Sequence, residues 1–140
     1  MRVLGIDPHS AKPYGWAVVV DGKLGPFGFA YVKQLFGIMN SPLIGKLDLV
    51  AVEDQYLNKN YNTAKTLSWA AGKALGLAEI LDIPTVSVNV AKWKAAFHCM
   101  EGGGSHIRAV SMALERELSD DEASAAGIAW YAWSEAVKKI

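Results

Sequence analysis

Apolar residues fall in short runs across the first half of the chain and recur at helical spacing across the second. Val3, Leu4 and Ile6 lead to Asp7 and Pro8, and residues 15–20, Gly-Trp-Ala-Val-Val-Val, read as the returning strand of a hairpin. A third strand is predicted over residues 24–32, interrupted by Gly25-Pro26 and Gly28. Asn40-Ser41-Pro42 marks a loop, and residues 47–53 form the next strand. Its Leu49-Val50-Ala51-Val52 core is apolar at every position, as in a strand buried on both faces. Residues 62–81 contain no proline and set Ala64, Leu67, Ala71, Leu75 and Ala78 at helical spacing, which predicts a long amphipathic helix. A short strand over 83–88, a short helix over 90–97, a helix capped by Ser105 and a final helix over 120–138 complete the pattern. The expected fold class is α/β, with a mixed central sheet of about five strands flanked by helices.

Composition narrows this picture. At 140 residues and 51% hydrophobic content the chain can bury one substantial core, so a single domain over residues 1–140 is expected, with no room for a duplicated architecture. The single Cys99 has no internal disulfide partner, and neither a leader pattern nor an apolar run near membrane-spanning length is visible. A soluble cytoplasmic protein with no membrane partner is the expectation. Fourteen basic and fourteen acidic residues cancel, which by itself does not suggest a nucleic-acid partner. Residues 55–110, however, carry six Lys or Arg against three Asp or Glu.

Three acidic positions stand out by context. Asp7 and Glu53 each close an apolar strand, and Asp121 opens the last helix. Buried strands fix the side chains at their carboxyl ends, and two carboxylates on neighbouring strand ends repel each other unless a cation lies between them. Each acid also has a plainer reading. Asp7 before Pro8 suits a turn, and Asp120, Asp121 and Glu122 suit a helix start, where a carboxylate gains ~0.3–1 kcal/mol from the helix dipole. Ser119 and Glu122 make a capping box. Glu53 resists such a reading, because a carboxylate buried without a partner costs several kcal/mol.

The segments Gly5-Ile6-Asp7-Pro8 and Gly15-Trp16-Ala17-Val18-Val19, the run from Ala51 to Asn60, and Asp121-Glu122-Ala123 together resemble the RuvC family of Holliday junction resolvases. The resemblance covers roughly residues 2–8, 14–20, 48–94 and 105–133. It implies an RNase H-like fold, a homodimer with the 62–81 helix at its interface, and four-way junction DNA as substrate. It also implies two Mg²⁺ per active site, with Mn²⁺ able to substitute: Asp7 bridges both ions, Glu53 binds one and Asp121 helps hold the other. Two such ions ~3.5–4 Å apart activate water and stabilise the departing 3′ oxygen. Tyr56 resembles the aromatic inserted at the junction centre. Lys59, Asn60, Lys65, Lys92 and Lys94 are candidate phosphate contacts, with His106 and Arg108 as further candidates.

Two positions depart from the family pattern. The last helix of an active resolvase resembles Asp, two residues, then Asp, whereas this chain has Asp121 and Ser124. A hydroxyl lacks the charge and ligand strength of a carboxylate, so weakened catalysis is expected. His9 stands where the family commonly has glycine, either as an exposed loop residue or as a phosphate contact. Zinc binding by His9, His98, Cys99 and His106 is not expected from their spacing. Two alternatives remain open at this point, a junction-binding protein that does not cut and an RNase H-like nuclease acting on RNA ends.

Overall fold

The computed structural model of the chain describes residues 1–54, 61–98 and 105–140, apart from the side chains of Tyr61, Thr63 and Ala64. Five strands, β1 (Arg2–Asp7), β2 (Tyr14–Val20), β3 (Lys23–Ala30), β4 (Leu49–Asp54) and β5 (Thr85–Asn89), form one sheet in the order β3-β2-β1-β4-β5. The first three strands pair antiparallel, and β1–β4 and β4–β5 pair parallel, which makes the sheet mixed as expected. Asp21 and Gly22, both at positive φ, form the two-residue turn that joins β2 to β3.

Helices α1 (Val32–Met39) and α2 (Tyr61–Ile80) cover one face of the sheet, and α3 (Val90–Ala96), α4 (Ser105–Ala113) and α5 (Asp120–Val137) cover the other. The period-2 geometry of a strand sorts its residues between these layers. In β1, Leu4 and Ile6 face the α1–α2 core, while Val3 faces the α5 core. Val50 and Val52 of β4 join the first core and Ala51 the second, which accounts for the uninterrupted apolar run.

The strand predicted over 24–32 ends at Ala30, and a helix that the strand pattern did not anticipate, α1, begins two residues later. Leu35 and Met39 bury one short apolar stripe, but eight residues with Gly37 among them give a weak periodic signal. The small residues of α2 divide by face. Ala70, Ala71, Ala74 and Ala78 lie in the core against the parent sheet. A side chain built at Gly72 or Gly76 would meet nothing within 4 Å.

This division makes opposite predictions for two neighbouring positions. Ala74→Leu should lose ~1–3 kcal/mol through overpacking, whereas Gly72→Ala should gain ~0.5–1 kcal/mol from helix propensity. Urea unfolding midpoints at unchanged slope measure both; a loss at Gly72 as large as that at Ala74 would contradict the assignment of faces.

Candidate metal centre

The site lies at the carboxyl ends of β1 and β4, beneath the first turn of α5. Ile6 pairs with Val52, so Asp7 and Glu53 occupy the next position on each of two adjacent parallel strands. Strand alternation turns both toward α5, since Asp7 follows Val3 and Gly5, and Glu53 follows Ala51, on that face. The helix comes close because the sheet presents glycines to it. A Cβ at Gly15 would stand 2.5 Å from the Asp121 carbonyl oxygen, and one at Gly5 would collide with the backbone of Ala125 and Ala129. Gly15 is also the antiparallel partner of Asp7. The contact that seats α5 therefore delivers Asp121 beside Asp7.

Ligand atoms of Asp7, His9 and Asp121 all lie within 4.8 Å of one another. His9 Nε2 is 3.1 Å from Asp121 Oδ1 and 3.4 Å from Asp7 Oδ2, and Lys12 Nζ is 3.1 Å from Asp121 Oδ2. Although buried, Nε2 makes no well-directed hydrogen bond. Burial pushes the Asp7 carboxyl above its ordinary range; His9 opposes the shift, and the negative charges of Asp121 and Asp120 add to it. His9 is raised in turn, mainly by its contact with Asp7 and against the effect of burial. A desolvated carboxylate pair with an undersatisfied imidazole nitrogen aimed between them suits a divalent cation. The oxygens favour a hard ion, and the nitrogen would make a borderline ligand.

The whole architecture has known counterparts. The structure of RuvC from Thermus thermophilus in complex with a Holliday junction substrate superposes with a TM-score of 0.80 at 20% identity, over 99% of this chain and 96% of that one. A second Thermus thermophilus RuvC structure gives 0.79 at 19% identity, over 99% and 97%. In sequence, the crossover junction endodeoxyribonucleases RuvC of Chloroflexus aurantiacus and Chloroflexus aggregans are 36% and 37% identical over 90 residues. Over that segment the chain is similar to the RuvC nucleases. The matched segment amounts to 54% of this chain, and the chain spans about half the length of the curated relatives it matches. No protein-family model matches.

Against the RuvC pattern the expected residues separate into groups. Asp7 and Asp121 meet in the cluster. Glu53 lies at the same edge and face, with Oε1 accepting a 3.3 Å hydrogen bond from Trp93 Nε1 of α3, and it is not among the three clustered residues. Ser124 is buried one helical turn beyond Asp121, where the resemblance implies a second carboxylate. His106 sits 2.7 Å from Asp120 Oδ1, with its ring edge-on to Trp93, so it buttresses the start of α5. Lys65 lies over the exposed Trp69 ring and Lys94 near the ring of Trp93, while Lys92 and Arg108 are exposed. Tyr56, Lys59 and Asn60 lie outside the described residues, as do Cys99 and the triple glycine. His9, first weighed as a loop residue or phosphate contact, and Lys12, not anticipated, are the cations that face the carboxylates. Their place in the loop after Asp7 was the available signal.

Both shifts give the metal-free protein the same pH dependence. His9, raised above its ordinary 6.5, contributes stability that is present below that pH and lost as pH rises through the folded value. Asp7, raised above 3.8, holds its proton more tightly folded than unfolded, so stability also falls as pH rises through that window. Thermal unfolding in chelator should show a melting temperature that declines above about pH 6.5, with a shallower decline for His9→Gln. A divalent cation should raise the melting temperature more at high pH than at low pH. A melting temperature that climbs with pH in chelator would contradict this charge arrangement.

Proposed function

We propose that this chain is a structure-selective endonuclease, one domain over residues 1–140, that binds four-way DNA junctions as a homodimer in the cytoplasm and nicks two symmetric strands. The observation that carries the reading is the convergence of Asp7 and Asp121, from opposite ends of the sequence, in a fold that matches RuvC. The relatives named as crossover junction endodeoxyribonucleases, and the Thermus protein solved with a Holliday junction substrate, support the choice of substrate. A two-fold dimer presents two equivalent sites to the two strands that must be cut. The open Gly72–Gly76 face of α2 is where a second copy would approach. Among the described residues no helix is long and apolar enough to cross a membrane.

Asp7 would hold two Mg²⁺ ions, with Glu53 and Asp121 each completing one of them. When bound, Mg²⁺ or Mn²⁺ supplies the Lewis acidity that activates water and stabilises the departing 3′ oxygen. The chain's own task is to fix these oxygens on two strands and one helix, so that little reorganisation accompanies reaction. His9 and Lys12 hold the carboxylates in place before the cations arrive. Tyr56 would stack at the opened crossover, while Lys59, Asn60, Lys65, Lys92, Lys94 and Arg108 contact phosphates. His106 acts chiefly through Asp120. Ser124 offers a hydroxyl in place of a charge, which favours a second reading, a junction-binding protein that cuts weakly or not at all.

Shape selectivity is the first expected outcome. The protein should prefer a four-way junction to linear duplex of equal length, and its affinity should fall steeply with salt. Equal affinity for the two DNAs in competition gel shifts would remove the resolvase assignment. The second concerns Ser124. Ser124→Asp should raise Mg²⁺-dependent cutting ~10–100-fold, the scale of effects in metal-site shells, with junction affinity little changed. Single-turnover cleavage at saturating protein measures the gain; equal rates would show that a fourth carboxylate is dispensable here.

A further inference from the structure

Among the three residues gathered at the end of β1, His9 has a geometry that charge balance alone does not explain. It follows Asp7 by two positions, and the intervening Pro8 is fully buried, with its φ fixed by the ring. The imidazole is thus carried on an anchored turn, and its side chain is nearly as buried as those of Asp7 and Asp121. A histidine that only balanced charge would gain most by turning its N–H directly onto one carboxylate oxygen. Nε2 instead stands 3.4 Å from Asp7 Oδ2 and 3.1 Å from Asp121 Oδ1, closed to solvent and with no well-directed hydrogen bond to either.

Those separations match the edges of a coordination polyhedron. Donor atoms bound ~2.0–2.2 Å from one ion lie roughly 2.8–3.1 Å apart at octahedral angles and roughly 3.3–3.6 Å apart at tetrahedral ones. Both His9 distances fall inside that span, and no pair in the triangle of ligand atoms is farther apart than 4.8 Å. The donor set also carries a preference. Mg²⁺ takes carboxylate and water oxygens, whereas an imidazole nitrogen suits first-row transition ions. Ser124, buried one turn beyond Asp121, offers only a hydroxyl. The third donor that the described residues bring to Asp7 and Asp121 is therefore a nitrogen.

We propose that His9 Nε2 is a direct ligand of the ion shared by Asp7 and Asp121, and that this imidazole makes the position selective for a first-row transition ion over Mg²⁺. Mn²⁺, Fe²⁺ and Co²⁺ are the ions of that class that also accept carboxylate oxygens. On ion binding His9 exchanges one role for another. Its nitrogen presents a lone pair to the ion, where before it faced the carboxylates as a counter-charge. Lys12, whose ammonium contacts Asp121 Oδ2, has no lone pair to offer and acts only as a counter-charge. The inference deepens the endonuclease reading and rests on it for the catalytic use of the ion, but the selectivity belongs to the chain without DNA.

Electron paramagnetic resonance of Mn²⁺ with the full chain, free of DNA, tests this. Pulsed spectra of the bound ion should show modulation from a directly coordinated nitrogen, and His9→Gln, which puts an amide in place of the imidazole, should abolish it. Labelling histidine in the wild type with the heavier nitrogen isotope should shift that modulation, a check that needs no substitution. Displacement of bound Mn²⁺ by Mg²⁺ and by Co²⁺ at constant pH gives the two affinities. Carboxylates alone already favour Co²⁺, so the deciding quantity is how the ratio of Mg²⁺ to Co²⁺ dissociation constants changes. It should fall at least ~tenfold in His9→Gln and in His9→Ala, the scale of losses in metal-site shells. Lys12→Ala should tighten both ions by a common factor and leave the ratio alone. A wild type that binds no Mn²⁺, or binds it without the histidine-dependent modulation, overturns the proposal. So do Mg²⁺ and Co²⁺ affinities that change by one common factor in both folded His9 variants, the result for a histidine that only positions the carboxylates. A ratio that falls as far in Lys12→Ala also overturns it. Junction preference and Mg²⁺-dependent cutting without these signatures defeat the inference alone. The signatures in a chain without junction preference uphold it and defeat the endonuclease reading.

Discussion

The sheet admits α5 at van der Waals distance only where it has no side chains to resist it. Gly5 on β1 and Gly15 on β2 are two such places, and any larger residue at either would meet helix backbone. This steric allowance fixes more than packing. It sets the height of the helix above the sheet and the position of its first turn relative to the end of β1. Asp121 reaches Asp7 because Gly15 is both the strand partner of Asp7 and the residue under Asp121. Gly127, farther along the same helix, leaves room for the Trp93 ring. Trp93 in turn donates to Glu53. Close packing of one helix thus touches all three acids implied by the family resemblance.

Such packing has an electrostatic cost. Asp7 is 8% exposed, and a carboxylate so placed beside another acid is stable only with positive charge nearby. His9 and Lys12 supply that charge from the loop immediately after β1. The same two residues would have to yield or rearrange when a divalent cation binds. Ser124 changes this balance from the other side. With a hydroxyl in place of a carboxylate, the metal-free site carries less repulsion and needs less compensation, and a cation finds one strong oxygen donor fewer.

Charge cancellation over the whole chain conceals a strongly uneven distribution. Acids gather beneath α5, while a neighbouring groove on the other side of the sheet, between the loop after β1, the start of α1 and the middle of α2, presents only basic and neutral residues. A polyanion responds to the local field and not to the sum, because exposed charges more than a Debye length away, ~8–10 Å in ordinary salt, are largely screened. Zero net charge is therefore compatible with a nucleic-acid surface next to a cation site.

The sequence by itself indicated a mixed sheet of about five strands flanked by helices. The apolar runs ending at Asp7, Val20 and Glu53 and the helical spacing through Ala71, Leu75 and Ala78 report burial, which is local information repeated at a fixed period. It also marked Asp7, Glu53 and Asp121, because charged residues at the ends of apolar strands, or at the start of a helix, are visible without coordinates. It did not reveal α1, whose stripe is too short to stand above the strand signal before it. Only the tertiary structure decided which acids meet, that His9 and Lys12 face them, and that His106 serves Asp120. Nor could the sequence sort the small residues of α2 into a buried and an open face. Contacts between residues more than a hundred positions apart depend on how closely a helix approaches a sheet, and periodicity along the chain carries no measure of that distance.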